Sequence, residues 1–529
     1  MSTIVTRWWR PADADFCFAE MKTDLPDRTS NSGICFSGGG TRALTCAVGQ
    51  LRGLSALGLL DRVRYISSVS GGTWGSTPFL WGDGAASDEA LLGPIVPPEE
   101  TTLDALDTPL PSTEILHTAT TNLNEANLKE LAARMPLSRV WTEAVGEVYL
   151  KPFGLHPDTP TYISGSPEEV ARIRRDNPDL EGDFVLPRAP GRLPYHVINA
   201  CGLGPQALAP LSENSPLSFE VTSLYGGNPQ LRQQMFLSKE GGWSESRLGG
   251  GYLETFALGS PQLLASRGAR VEATAPDRPY TLADAVGTSS AAFAEILAEL
   301  PILKDLERMD PELVVWPVEP NAEGELFVMG DGGILDNYGL LSLLRRKVER
   351  IVVFINTSTA VDKDYDPATI PDKKVIDEYL PALFGFPMEA TGVTLQNNAA
   401  LAAEGWAPLI RGLQAAQAEE GPVVHRMTHQ VRDNAFWGIE GGWSVDIAWC
   451  YLSRVPTWEE RLPRETARAI EKGQRALFAG EFDNFPGYKL NGQASLGDVH
   501  LSVPQARLLA DLCCWCVTAK EDLLRDMLC

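Results

Sequence analysis

No run of 18 or more apolar residues occurs in this chain of 529, which excludes a hydrophobic membrane-spanning helix. Base is also short. Lys and Arg number 45 against 69 Asp and Glu, a formal net charge of −24. The basic footprint of a nucleic-acid binder is therefore missing, and net charge alone gives no attraction to an anionic bilayer. Cysteine is sparse and odd in number, with nine residues, several of them inside apolar segments. That is the pattern of buried free thiols in a reducing compartment, not of a disulfide framework. Cys513-Cys514-Trp515-Cys516 has no matching second pair, so it reads as core packing. Met1 to Asp13 lacks the apolar core of a signal peptide, and none is expected. No internal repeat and no low-complexity tract is present.

What remains is ordinary globular composition, 44% hydrophobic and 22% charged. The residues from 30 to 80 read strand, turn, helix, strand, turn, helix. Ile34 to Ser37 is a short buried strand, Ala43 to Leu59 has helical apolar spacing, and Val63 to Val69 is the next strand. This opens an α/β sheet covered by helices. Residues 84–115 are rich in Pro, Asp and Thr, and Lys151 to Pro194 is dense in Pro; both read as irregular excursions. The sheet pattern returns at Tyr195 to Ala200 and Leu217 to Thr222. Ala283 to Leu297 reads as a helix, as does Leu340 to Val348, and Ile351 to Ile355 as a strand. Residues 361–529 are helix-rich in pattern, with Trp443 to Leu452 a candidate strand. We expect an extension at 1–29, a catalytic unit at 30–360 with insertions at about 84–194 and 226–280, and 361–529 as a helix-rich part packed as a cap on it.

Three turns carry chemistry. The first is Cys35-Phe36-Ser37-Gly38-Gly39-Gly40-Thr41-Arg42. Glycines let successive N–H groups point into one small volume ahead of a helix N-terminus, as an oxyanion hole requires. Arg42 adds a planar cationic fork suited to phosphate, or else braces its loop. The second is Ser67-Ser68-Val69-Ser70-Gly71-Gly72-Thr73-Trp74. Here Ser70 sits where a nucleophile elbow would lift it, with Ser68 in place of the usual first glycine. An ordinary Gly-rich strand–helix turn is the plainer alternative, and Ser67 and Ser68 are neighbouring hydroxyls within the strand. The third is Met329-Gly330-Asp331-Gly332-Gly333-Ile334-Leu335-Asp336-Asn337. None of the six histidines stands in a motif-like context, so Asp331 is the candidate general base of a two-residue dyad. Asp336 is the competing carboxylate, and a helix cap is the plainer role for Asp331.

Other patterns are weaker. Gly38-x-Gly40-x-x-Ala43, with Asp61 about 20 residues on, also fits a dinucleotide-binding fingerprint, although Asp61 precedes the second strand. His425 and His429 have the spacing of two zinc ligands on a helix, but without the glutamate of that motif. Asp362, Asp364 and Asp366 mimic a calcium loop that lacks its turn glycine. Trp8-Trp9-Arg10 reads either as core packing or as a membrane-interface element.

Taken together, the three turns resemble the patatin and cytosolic phospholipase A2 superfamily of lipid acyl hydrolases. Its G-G-G-x-R segment, serine elbow and D-G-G turn match Gly38, Gly39, Gly40 and Arg42; Ser70, Gly71 and Gly72; and Asp331, Gly332 and Gly333. The asparagine six positions beyond that aspartate corresponds to Asn337. Ser70 to Trp74, Phe219 to Gly226 and Asp483-Asn484-Phe485-Pro486 are closer to the cytosolic phospholipase A2 branch, where the second of these lines the acyl cleft. The resemblance implies a three-layer α/β fold and a Ser70–Asp331 dyad with an acyl-serine intermediate. It implies an oxyanion hole from Gly38, Gly39, Gly40 and Gly71, and substrate contacts from Arg42 and Asn337. It implies no cofactor and no metal. The expected substrate is a phospholipid or other lipid ester at a membrane or micelle surface, and the expected location is cytoplasmic, peripheral at membranes. A calcium-binding C2 domain ahead of the first motif is not expected. Lipid transacylation, a catalytically silent lipid-binding protein on the same fold, and more remotely a Rossmann-type nucleotide-binding enzyme are the alternatives.

Overall fold

The computed structural model describes residues 2–23, 30–82, 84–121, 125–189, 191–211, 216–291, 309–390, 393–475, 480–488 and 500–529. Strand β1 (Thr3–Trp9) is followed by β2 (Ser32–Phe36), α1 (Gly40–Ala56), β3 (Tyr65–Val69) and α2 (Gly71–Trp81). After α3 (Leu137–Val145) and α4 (Pro167–Asp176) come β4 (Tyr195–Pro205), β5 (Leu217–Val221) and β6 (Tyr225–Asn228). Next are β7 (Arg232–Leu237), β8 (Trp243–Leu248), β9 (Gly251–Glu254), β10 (Leu263–Arg267), β11 (Arg270–Thr274) and α5 (Leu282–Thr288). The rest comprises β12 (Glu312–Val315), β13 (Glu325–Asp331), α6 (Leu340–Arg345), β14 (Arg350–Ile355), α7 (Trp406–Ala418), β15 (Val424–Val431), β16 (Trp443–Tyr451) and α8 (Val503–Ala519).

These build a 14-stranded sheet in the order β10-β11-β1-β9-β6-β5-β4-β3-β2-β14-β16-β15, with β13 on β4 and β12 on β13. The segment β4-β3-β2-β14-β16 is parallel. Parallel strands need covered faces, and every residue of β2 and β3 is buried. Period-2 alternation splits them between two cores: Ile34, Phe36 and Ile66 join the first, while Cys35 and Tyr65 join the second. Helices α1, α2 and α8 cover one face, and α6 and α7 the other. The fold is thus the expected three-layer α/β arrangement.

The structure also departs from the sequence reading. The stretch from Lys151 to Pro194 holds a regular helix, α4, capped by Ser166, whose hydroxyl accepts the Glu169 N–H; Ser-Pro-Glu-Glu is a readable start signal that the surrounding prolines obscured. In the C-terminal part β16 is the strand expected from Trp443, parallel to β14, but β15, antiparallel to β16, goes beyond the sequence reading. The first residues are woven in as well, because β1 pairs with β9 and β11. Trp8 lies in the core at 2% exposure, and Trp9 packs half-buried against Tyr225, so both rings pack on the fold. The helix read from Ala283 is observed to Thr288; 292–297 of that reading lie outside the described residues.

Candidate active site

Ser70 joins β3 to α2 with φ 51° and ψ −124°. A non-glycine residue at positive φ costs on the order of 1–3 kcal/mol, so its surroundings must impose the conformation. They do so through Ser289. The Ser70 N–H donates to both the carbonyl and the hydroxyl oxygen of Ser289, each at 3.1 Å. The Ser289 hydroxyl is itself oriented by donating to the Asn199 carbonyl at 2.6 Å. A Cβ on Gly71 would lie 2.0 Å from the Gly40 carbonyl oxygen. The serine elbow and the first Gly-rich turn therefore touch backbone to backbone, and only glycine fits between them. Gly39 and Gly40 both have positive φ, 132° and 61°.

The Gly38 N–H donates to the Asn337 carbonyl at 2.9 Å. That N–H holds the third turn against the first, so of the expected oxyanion set Gly38 has its N–H spent, and Gly39, Gly40 and Gly71 stand at helix starts. The Asn337 side chain fills the space between the turns. A Cβ on Gly38 would meet its Oδ1 at 2.2 Å and Ser70 Cβ at 3.0 Å. A Cβ on Gly333 would meet the same Oδ1 at 2.8 Å and Asp331 Oδ1 at 3.0 Å.

Asp331 ends β13, where it pairs with Ala200 of β4. Its Oδ1 accepts the Gly333 N–H at 2.6 Å, so it does cap the short turn Gly332–Ile334. The Gly332 N–H donates to the Ser289 carbonyl at 3.3 Å. One carbonyl thus receives N–H groups from both the elbow and the aspartate turn. Asp336 is a helix cap instead, accepting N–H groups from Tyr338 (3.1 Å) and Leu341 (2.8 Å), with its carboxyl pushed up to about 6 by burial. Ser67 donates to the Gly339 carbonyl at 2.7 Å, inside the strand.

His196 lies behind the elbow. Its Nδ1 accepts from Trp81 Nε1 at 3.1 Å, and its Nε2 faces Ser68 Oγ at 2.7 Å. Burial pulls its pKa down to about 3, so the ring is neutral and fixed as part of the support. Thr73 completes this support, its hydroxyl donating to Ser68 Oγ at 3.1 Å.

Arg42 leaves the first turn in another direction. Its Nε donates to the Asn356 carbonyl at 3.0 Å and one Nη to the Tyr488 carbonyl at 3.1 Å. Burial lowers its pKa. Tyr488 follows Asp483-Asn484-Phe485-Pro486, so that C-terminal stretch reaches the first turn through this contact.

The weaker patterns dissolve. His425 and His429 lie on strand β15, not on a helix, which removes the zinc geometry; His429 Nε2 instead accepts from Trp449 Nε1 at 3.0 Å. Asp362 and Asp366 make local turns with the N–H groups of Asp364 and Ala368. Asp61 faces Arg192 at the surface at 3.1 Å, away from the first turn. Among the described residues, Glu143, Glu147 and His156 stand close enough to share an ion, but Lys151 already neutralises Glu147 at 2.7 Å. The sequence reading missed Ser289, Thr73 and Asn199. Ser289 lies 219 positions from Ser70, and no local signal marks it.

The sheet, the serine elbow and the aspartate turn define a three-layer α/β protein with a strained serine at a strand–helix turn. No protein-family model matches the chain. Over 59 residues it is 56% identical to human cytosolic phospholipase A2 zeta, covering 11% of this chain and 7% of that protein. Over 63 residues it is 49% identical to human cytosolic phospholipase A2 delta, covering 12% and 8%. The matched segments span less than a tenth of those relatives' length. Human GIVD cytosolic phospholipase A2 superposes with TM-score 0.48 at 13% identity, over 97% of this chain and 61% of that one. Its complex with methyl gamma-linolenyl fluorophosphonate gives 0.46 at 15%, over 94% and 59%. The resemblance read from the motifs is borne out: over the matched segments the chain is homologous to cytosolic phospholipases A2.

Proposed function

We propose that this chain is a serine lipid acyl hydrolase of the phospholipase A2 and lysophospholipase type. One observation carries the reading. Ser70 is held in a strained elbow by the same Ser289 carbonyl that anchors the Asp331 turn, against a glycine turn heading a helix. In this reading Asp331 takes the Ser70 proton as Oγ attacks the ester carbonyl. N–H groups of Gly39, Gly40 and Gly71 receive the oxyanion. Asp331 then returns the proton to the leaving alcohol, and water releases the acyl group by the reverse sequence. No group in this scheme requires a metal. The nine free thiols suit a cytoplasmic location, and no helix among the described residues is long and apolar enough to cross a membrane. Transacylation is the same chemistry with a lipid alcohol in place of water.

A fluorophosphonate probe followed by peptide mapping tests the nucleophile. Labelling is expected on Ser70. Ser70→Ala and Asp331→Asn should each lower phospholipid hydrolysis by at least about a hundredfold, roughly 2.7 kcal/mol of barrier. Activity within about tenfold of the parent in either variant, or labelling elsewhere, overturns the dyad.

A further inference from the structure

We propose that the outer face of the β7–β8 hairpin is the surface through which this protein docks on a zwitterionic lipid layer; the proposal rests on the lipid-hydrolase reading. The hairpin is a two-stranded sheet of its own. Its inner face is buried at Phe236, Ser246 and Leu248. Register places Leu237 opposite Trp243 and Met235 opposite Glu245 on the other face. That face should be polar, yet Met235 is 59% exposed, Leu237 46% and Trp243 67%, with Leu231 just outside the strand at 51%. Met235, Leu237 and Trp243 are neighbours on that face, with Leu231 beyond Gln233, and an exposed apolar cluster of this kind marks an interaction surface. A tryptophan at its rim suits the level of lipid headgroups.

Position and charge select the occupant. Val69, just before Ser70, pairs with Asn199 of β4. Strand β4 then runs on to Pro205, beyond the catalytic edge, and β13 returns along it from Phe327 to Asp331. Phe327 therefore stands about 13 Å outward of Asp331 along the strand. Phe236 packs edge-on against it, with ring centroids 5.4 Å apart. The hairpin thus sits at the outer tip of the strand pair that rises from the site. The chain as a whole carries −24, whereas residues 231–248 hold Arg232, Lys239 and Arg247 against Glu240 and Glu245. With Arg247 paired to Glu319, this is a locally balanced patch on an acidic molecule. It fits a neutral lipid surface and gives an anionic one no purchase.

The test uses Ser70→Ala protein, so binding is scored without turnover and does not depend on Ser70 being the nucleophile. Flotation with phosphatidylcholine vesicles should show binding. The triple change Met235→Ser, Leu237→Ser, Trp243→Ser should weaken it at least about tenfold. In the otherwise native enzyme the same triple change should leave hydrolysis of a monomeric short-chain p-nitrophenyl ester within about twofold. Trp243→Phe guards against misfolding: it should keep vesicle binding but lose the tryptophan component quenched by brominated phosphatidylcholine. Unchanged flotation of the triple variant overturns the proposal, as does binding that requires anionic lipid. A parent dimer that the triple change dissociates without altering flotation overturns it in favour of a second copy of the chain.

Discussion

Arg42 braces its turn in the structure, and in the proposed mechanism it would also meet the substrate's anion. Its fork is spent in part on the Asn356 and Tyr488 carbonyls, which ties the first turn to β14 and the C-terminal stretch. The remaining Nη lies under the turn, 2.7 Å from where a Cβ on Gly39 would be. Lysine has the charge but not the fork, so it cannot hold both carbonyls and still present a donor to an anion. Arg42→Lys is therefore expected to lower kcat/KM on phospholipids about tenfold more than on uncharged p-nitrophenyl esters, roughly 1.4 kcal/mol of differential transition-state binding. Equal losses on both substrates would leave only the bracing role. The three turns were legible in the sequence because their chemistry is local: glycines, a serine and an aspartate within a few positions of each other. The Ser289 support was not, because its partners meet only after the sheet closes.

At the scale of elements, helix α1 links the site to the tail. Its N-terminus is the first Gly-rich turn, and its middle crosses α8 with almost no gap. A Cβ on Gly49 would lie 2.2 Å from the Ala510 carbonyl oxygen, and one on Gly53 2.7 Å from Val517 Cβ. Arg52 and Asp511 pair across the same crossing at 2.8 Å, both buried, with burial pushing the Asp511 carboxyl up to about 6. Gly49→Val must separate the helices. The expected cost is about 1–3 kcal/mol, read as a lower urea midpoint together with reduced ester hydrolysis as the first turn shifts. An unchanged midpoint would mean that α8 does not pack there. The buried runs of β2 and β3 and the apolar spacing of α1 were readable from residue pattern. Strand β15 was not: in Val424–Val431 the inward positions are His425, Met427, His429 and Val431, so half of the period-2 alternation is polar and the histidine spacing mimics a helical metal pair. The clustered prolines around α4 hid a helix in the same way.

Over the whole molecule, a buried knot of charge binds the first residues to the sheet and to the helix beyond the aspartate turn. Arg346 of the turn after α6 is fully enclosed between Glu20 (3.0 Å) and Glu220 of β5 (2.8 Å). Tyr225 donates to Glu20 at 2.7 Å, and Arg345 also reaches Glu220. Within the segment from Phe219 that the resemblance links to an acyl cleft, Glu220 and Tyr225 belong to this knot. Replacing one partner strands the others in low dielectric, at about 3–5 kcal/mol. The knot also fixes a pH dependence. Burial by itself would raise the Glu220 carboxyl, but Arg345 and Arg346 outweigh it and hold it at about 2, below the ordinary 4.5. A carboxylate depressed in the folded state stabilises fully above its unfolded value, and that contribution drains away as pH falls from 4.5 to about 2. Glu220→Gln is therefore expected to be less stable than the parent by about 3 kcal/mol at neutral pH. The difference between their urea midpoints should close as the pH is lowered through that window. A difference that stays constant down to pH 2 would show that Glu220 does not stabilise the fold as a charge, and that the loss comes from hydrogen bonds which the amide fails to reproduce.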